Sequence, residues 1–260
     1  MAMRIGSQAR VDQLGFTLAE LLVVIAIVAL IMTGLLTLLK RGNESYMAGA
    51  NQVEAQSAVR ATLERMTQEV REAGYNPQGL PACAPPLVPP ACLDAIVNAT
   101  NTSFVIQNDW DGNGVINNAI PVCMNYSWAA PCPGGGIQRG EQITYTMVPV
   151  GVAFTLCREE STVDPPNTAP CPIPRSQPLM TSVAQAIIGG VLQPWFFRYR
   201  DANGTVIAAP IANPSQNQAN IRTVEVNLRV GVQNTAPVFW QAGAVQVTMS
   251  DQIRLRNRVP

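Results

Sequence analysis

Three hydrophobic rhythms follow one another along this chain. From Leu21 to Leu39 nineteen consecutive residues carry no charge. As a helix they would run about 28 Å at 1.5 Å per residue, close to the thickness of a bilayer core. The run is too long for the apolar part of an ordinary secretory signal, and its small residue, Gly15, stands before it rather than after. Past Arg41, apolar or small residues recur at a spacing near 3.6: Tyr46, Met47, Ala50, Val53, Ala58, Val59, Thr62, Leu63, Met66 and Val70. Glu54, Arg60, Glu64, Arg65, Glu69, Arg71 and Glu72 fill the opposite side, and Gly74 and Pro77 end the pattern. The two stretches predict one helix of about 55 residues, a lipid-facing half followed by an amphipathic half packed on a head.

Beyond Pro77 the period changes to two. The stretch 77–101 is rich in Pro and Ala and reads as a loop stapled on itself. SFVIQ (103–107) is a strand leading into the turn DWDGNG, and QITYTM (142–147) alternates Ile143, Tyr145 and Met147 with polar partners. GVAFTLCRE (151–159) returns as its hairpin mate through Pro149 and Gly151. A second group starts near Val191, where Trp195, Phe197 and Tyr199 alternate up to a turn at Asp201 to Gly204. IRTVEVNLRVGV (221–232) sets Val224, Val226, Leu228 and Val230 against Glu225, Asn227 and Arg229, one face buried and one wet. AVQVTMSDQIRLRN closes the pattern, and NYSWAAPCPGGG (125–136) reads as a long exposed loop. With no repeat and no βαβ alternation, the fold class is α+β, an antiparallel sheet laid on the long helix.

Charge and composition narrow the function. Lys and Arg number 17, Asp and Glu 17, so no basic excess draws the chain onto nucleic acid. Histidine is absent, which removes the commonest general base and the commonest zinc ligand and weakens hydrolase readings. The adjacent carboxylates Glu159 and Glu160, the best material for a cell-wall hydrolase, point to opposite faces of one strand. Six cysteines (Cys83, Cys92, Cys123, Cys132, Cys157 and Cys171) lie in Pro-, Gly- and Asn-rich stretches at spacings that match neither a CxxC redox motif nor a four-cysteine metal site. An even count in loops favours disulfides and an oxidising compartment, against the alternative of reduced buried thiols. Local pairing, Cys83 with Cys92, Cys123 with Cys132 and Cys157 with Cys171, is the expectation among the fifteen connectivities that six cysteines allow.

One carboxylate interrupts the N-terminal pattern. Glu20 stands at the head of the apolar run, where an ionised side chain costs about 2.5 to 3.5 kcal/mol unless it is partnered. Its plainest role is to snorkel to the cytoplasmic interface. Arg4 and Arg10 outweigh Asp12 and hold the leader inside, although Lys40 and Arg41 beyond the run blunt that asymmetry. A cut after Gly15 would give Phe16 a free ammonium four residues from Glu20, so the two charges could neutralise each other within or between subunits.

GFTLAE followed by a long apolar helix resembles the type III signal of type IV prepilins and pseudopilins. That resemblance implies a membrane peptidase that cuts after Gly15 and methylates Phe16, with Glu20 as the carboxylate that docks a subunit into a growing filament. QITYTM with its hairpin mate, FFRYRDANG, TVEVNLRV and SDQIRLRNRV are similar to the larger minor pilins of the PilW type and to the related J-type minor pseudopilins of type II secretion. The implied division is 1–15 leader, 16–39 transmembrane helix, 40–75 amphipathic continuation and 76–260 β-rich head.

The implied product is a non-enzymatic minor pilin at or near a pilus tip, supporting assembly, adhesion and twitching motility. It would be a single-pass inner-membrane precursor with a periplasmic head, later extracellular. Its partners would be the prepilin peptidase, other minor pilins, the major pilin, the inner-membrane assembly platform and a tip adhesin. The rivals are a minor pseudopilin, a membrane-anchored calcium-binding adhesin and the cell-wall enzyme. No cofactor is required, yet DWDGNGVIN (109–117) has the oxygen spacing of a calcium loop: Asp109, Asp111, Asn113, the Val115 carbonyl and Asn117, with Gly114 at the bend. Ile120 occupies the place of the bidentate glutamate, so a ligand would have to come from elsewhere. The same residues also make an ordinary Asp/Asn/Gly turn.

Overall fold

The computed structural model describes residues 17–83, 92–116, 122–123, 126–129, 138–160, 171, 176–185, 187–188, 190–211, 215–231 and 246–256. Its architecture is α+β and type IV pilin-like, a long N-terminal helix that begins apolar, followed by an antiparallel β-sheet domain. Two units make up the chain, Met1–Gly49 and Ala50–Pro260.

Helix α1 spans Leu18–Glu72, 55 residues. In the first unit its apolar part is long and apolar enough to cross a membrane, and none of that stretch is buried in protein. Its polar side chains are satisfied locally. Thr33 Oγ1 donates to Ala29 O and Thr37 Oγ1 to Thr33 O, each at 2.8 Å, so neither hydroxyl needs water.

In the second unit α1 buries Val59, Thr62, Leu63, Met66 and Val70, and Ala73 just past its end is buried too. The amphipathic stripe is therefore shorter than its sequence period predicts, because Val53, and Tyr46 and Met47 in the first unit, are exposed. Glu69, which the pattern places on the charged side, is buried at 7% exposure because an arginine from the sheet meets it. Gly74 ends the helix with a φ of +77°, a conformation that costs a side chain energy, and its N–H donates to Gln107 O at 2.9 Å.

The strands are β1 (Ile96–Val97), β2 (Ser103–Gln107), β3 (Val122–Cys123), β4 (Tyr126–Ala129), β5 (Gln138–Arg139), β6 (Gln142–Val150) and β7 (Ala153–Glu160). There follow β8 (Ser176–Ala184), β9 (Ile187–Ile188), β10 (Val191–Leu192), β11 (Phe197–Arg200), β12 (Val206–Ile207), the short helix α2 (Gln216–Ala219), β13 (Thr223–Gly231) and β14 (Gln246–Arg254). The main sheet runs β1-β2-β6-β7-β8-β13-β11-β12, and β14 pairs along the whole of β13 from Thr223↔Arg254 to Gly231↔Gln246. β9–β10 and β4-β3-β5 form two small separate sheets. The segment 125–136, expected as loop, thus contains strand β4; its remaining residues lie outside the described ones. Sequence also missed β8, whose Pro178 and irregular alternation hide a strand paired to both β7 and β13.

The sheet curls until β11 comes back toward β2. Phe197 meets Phe104 edge-on at 4.8 Å, the Phe197 N–H donates to Asn101 O at 3.1 Å, and the Tyr199 hydroxyl donates to Thr100 O at 2.7 Å. Phe104, Tyr145, Leu156, Val224, Val226, Leu228 and Ile253 fill the core together with the buried side of α1.

Candidate functional site

At the start of α1, Thr17 and Glu20 hold each other. The Thr17 N–H donates to the Glu20 carboxylate at 2.9 Å, and the Glu20 N–H donates to Thr17 Oγ1 at 3.3 Å. This reciprocal pair is a capping box, T-x-x-E, which satisfies two amides that would otherwise end the helix without partners. Sequence reasoning gave Glu20 a partner in Phe16 and overlooked Thr17, although the four-residue signature was legible. Gly15 and Phe16 lie outside the described residues.

The acidic loop forms a second site. One ligand oxygen from each of Asp109, Asp111 and Glu141 lies within 4.8 Å of the others. Asp109 accepts the N–H groups of Asn113 at 3.1 Å and Gly114 at 3.0 Å, while Asp111 accepts the Asn113 N–H at 3.0 Å. Asn113 Oδ1 accepts the Val115 N–H. Gly112 and Gly114 take positive φ (72° and 78°), which lets the loop wrap inward around its carboxylates. Partial burial, with the Asp109 carboxylate alongside, pushes the Asp111 carboxyl above its ordinary value. Neither Asp109 nor Asp111 meets a cationic side chain among the described residues.

Glu141 is the member that the local spacing could not reveal, because it sits 32 residues after Asp109 in the chain and arrives through the sheet. Its Oε1 accepts the Trp110 N–H at 2.9 Å, and its own carbonyl accepts the Asn108 N–H at 2.9 Å. Clustered oxygens and a backbone wrapped around them suit a hard divalent cation. Asn117 and Ile120 lie outside the described residues.

A third polar centre lies in the core. Arg158 on β7, 1% exposed, donates through Nη2 to Glu69 of α1 at 2.9 Å and to Glu160. The Tyr145 hydroxyl also donates to Glu69 in a very short contact. Burial pulls the Glu69 carboxyl up, but Arg158, Tyr145 and Arg65 outweigh it and hold it below the usual carboxylate range. Burial and the Glu69 charge push the Tyr145 phenol well up. Glu160, one of the two strand carboxylates, is thus an ion-pair partner that also accepts the Gly140 N–H at 3.0 Å. Arg139 bonds Glu72 at 3.0 Å, lies 3.8 Å from Glu160 and sits 4.5 Å over the Trp110 ring, which joins this centre to the acidic loop.

Cys83 is bonded to Cys92, and Cys157 to Cys171. Asp94 braces the first bridge, accepting the Cys83 N–H at 3.0 Å and the Gln218 amide at 2.7 Å. Strand β3 includes Cys123, of whose side chain nothing is described, and Cys132 lies outside the described residues.

Comparison with known proteins adds one match. Residues 10–36 match the family model described as the prokaryotic N-terminal methylation motif, the signal of type IV pilin-like precursors. No curated protein and no solved structure matches the chain.

Proposed function

We propose that the chain is a minor pilin, a structural subunit made as an inner-membrane precursor, cut between Gly15 and Phe16, and placed at or near the tip of a type IV pilus. The observation that carries this reading is the methylation motif at residues 10–36, running without interruption into a helix whose apolar part no protein covers. A pseudopilin shares that motif. The size of the head and its bonded loops favour a tip position, since bulk is easier to accommodate at a filament's end. On this reading the partners are the prepilin peptidase, the assembly platform, the other minor pilins, the major pilin and a tip adhesin, with the head periplasmic until the pilus extends outside the cell.

Assembly follows from charge. In the precursor Glu20 caps its own helix through Thr17. Cleavage would place the Phe16 ammonium beside that carboxylate, and a packed neighbour can then exchange partners with it, so that the apolar helices leave lipid in register. Mass spectrometry of the purified subunit is expected to show an N-terminal methylated Phe16; an intact leader overturns the reading. Glu20→Leu is expected to leave cleavage intact but reduce incorporation into fibres at least tenfold, scored by imaging. A deletion strain that keeps its pili and twitching but loses protein export would assign the chain to the secretion filament instead.

The acidic loop is read as a calcium site, with Asp109, Asp111 and Glu141 as its charged ligands and Asn113 beside them. The convergence of two buried carboxylates and one half-buried one, without a cationic side chain at Asp109 or Asp111, supports it. Calorimetry of the full chain in detergent is expected to show one calcium bound at millimolar metal or below, and Glu141→Gln is expected to weaken it at least tenfold. Absence of heat at millimolar calcium removes the site.

A further inference from the structure

The last strand of the sheet leaves one side open. The Leu255 N–H donates to Arg222 O at 2.9 Å, so by the alternation of an antiparallel ladder the amides of Ile253, Asp251 and Met249 also turn toward β13. Those of Thr248, Ser250, Gln252 and Arg254 turn away from it. Among the described residues no strand pairs with that outer side. Its upper end is occupied by a bond from the Arg256 N–H to Arg71 O, and the Gln252 N–H is held by its neighbour's carboxylate, Asp251. The outward amides of Thr248, Ser250 and Arg254 are left as a pairing template along this nine-residue strand, of a kind that folded proteins normally blunt or cover.

Beside this edge runs a slot of about 770 Å³ between β14 and the C-terminal part of α1, within the size range of ligand sites. Leu63 and Met249 give it apolar walls, and Tyr75 stacked on Trp110 closes its far side. A second cleft of about 480 Å³, at the Arg256 end, is lined by Arg71, Arg254, Leu255 and Arg256 alone. None of these three arginines pairs with an acidic side chain among the described residues. The edge thus joins an apolar slot to an uncompensated positive end.

We propose that an extended segment of a partner polypeptide adds to the sheet along β14, with acidic residues beside Arg254, Arg256 and Arg71 and apolar residues over Leu63 and Met249. Main-chain bonds to the outward groups of Thr248, Ser250 and Arg254 supply the pairing, as in other strand-addition complexes. The guanidinium groups supply planar two-pronged sites for carboxylates. Further along the slot the charges are mixed, with Arg60 beside Glu64 and Asp251, so the polarity of the segment is set by the arginines at the Arg256 end. The proposal stands whether the filament is a pilus or a secretion filament.

The test places a photoreactive benzoylphenylalanine at Ser250 of the full chain in the producing cell, followed by mass spectrometry of the adduct. The expected adduct is a stretch of another polypeptide bearing at least two acidic residues. R254E/R256E is expected to cut its yield about tenfold with the melting temperature unchanged, and R254Q/R256Q should show the same direction if charge reversal disturbs export. Adducts only to lipid, to a second copy of this chain or to a segment without acidic residues overturn the proposal. So does a yield indifferent to both arginine pairs, or no adduct at all.

Discussion

Two carboxylates of α1 show how differently one residue type is handled. Glu20 is exposed and held by its own first turn, whereas Glu69 is buried and held by the sheet. Removing the charge of Glu69 leaves the buried Arg158 guanidinium with Glu160 as its carboxylate partner, so the loss stays below the about 3 to 5 kcal/mol that breaking a buried pair outright costs. Glu69→Gln should therefore show a lower denaturant midpoint, while Tyr145→Phe, which removes only a hydroxyl donor, should cost about 1 to 2 kcal/mol. The pH dependence follows from the direction of the shift. A carboxyl held below its unfolded value contributes stability that is present above that value and is lost as pH falls through the folded one. Acidification below the ordinary carboxylate range is expected to lower the melting temperature of the wild type more than that of Glu69→Gln; equal losses would show that Glu69 is not the group responsible.

At the scale of elements, α1 and the alternating strands were legible because burial dictates their periods. Apolar positions at 3.6 marked α1, and Val224 to Val230 marked β13, where all four apolar residues are buried; the face expected to be wet is not, because Glu225 is buried between Arg198 and Arg200 and Asn227 is buried beside it. β8 was not legible, since its place is set by partners on both sides rather than by its own alternation. Glu141 escaped for a related reason: only the β2–β6 pairing, Gln107↔Gln142, brings it against the acidic loop. The helix stop at Gly74 was readable as a glycine, but its second constraint was not. A Cβ built there would lie 2.8 Å from the Ala95 Cβ, in addition to the positive φ. Gly74→Ala is expected to destabilise by more than about 1 kcal/mol, measured by thermal melting, in contrast to the small gain alanine gives at a glycine whose backbone it can adopt.

For the whole molecule, the bonded loops and the sheet order matter most. The Cys83–Cys92 and Cys157–Cys171 bridges close separations of 9 and 14 residues, and each should contribute about 2 to 4 kcal/mol by limiting the unfolded chain. Dithiothreitol is expected to lower the melting temperature of the detergent-solubilised chain by several degrees, and Cys157→Ser/Cys171→Ser should reproduce part of that loss without reductant. The absence of histidine and the balance of 17 against 17 charges told which chemistries to set aside, but gave no sign of where the uncompensated arginines would gather. That grouping depends on β14 meeting the last turn of α1, a contact separated by 185 positions in the chain.

The same meeting has a consequence for biogenesis. The Arg256 N–H bonds the Arg71 carbonyl, and β14 lies along the full length of β13, so the last strand of the chain completes the sheet beside the end of α1. A polypeptide made from its N-terminus exposes β13 before β14 has emerged. Until then β13 offers a bare ladder to any passing strand, and a holding factor, or simply rapid completion of the chain, has to guard it.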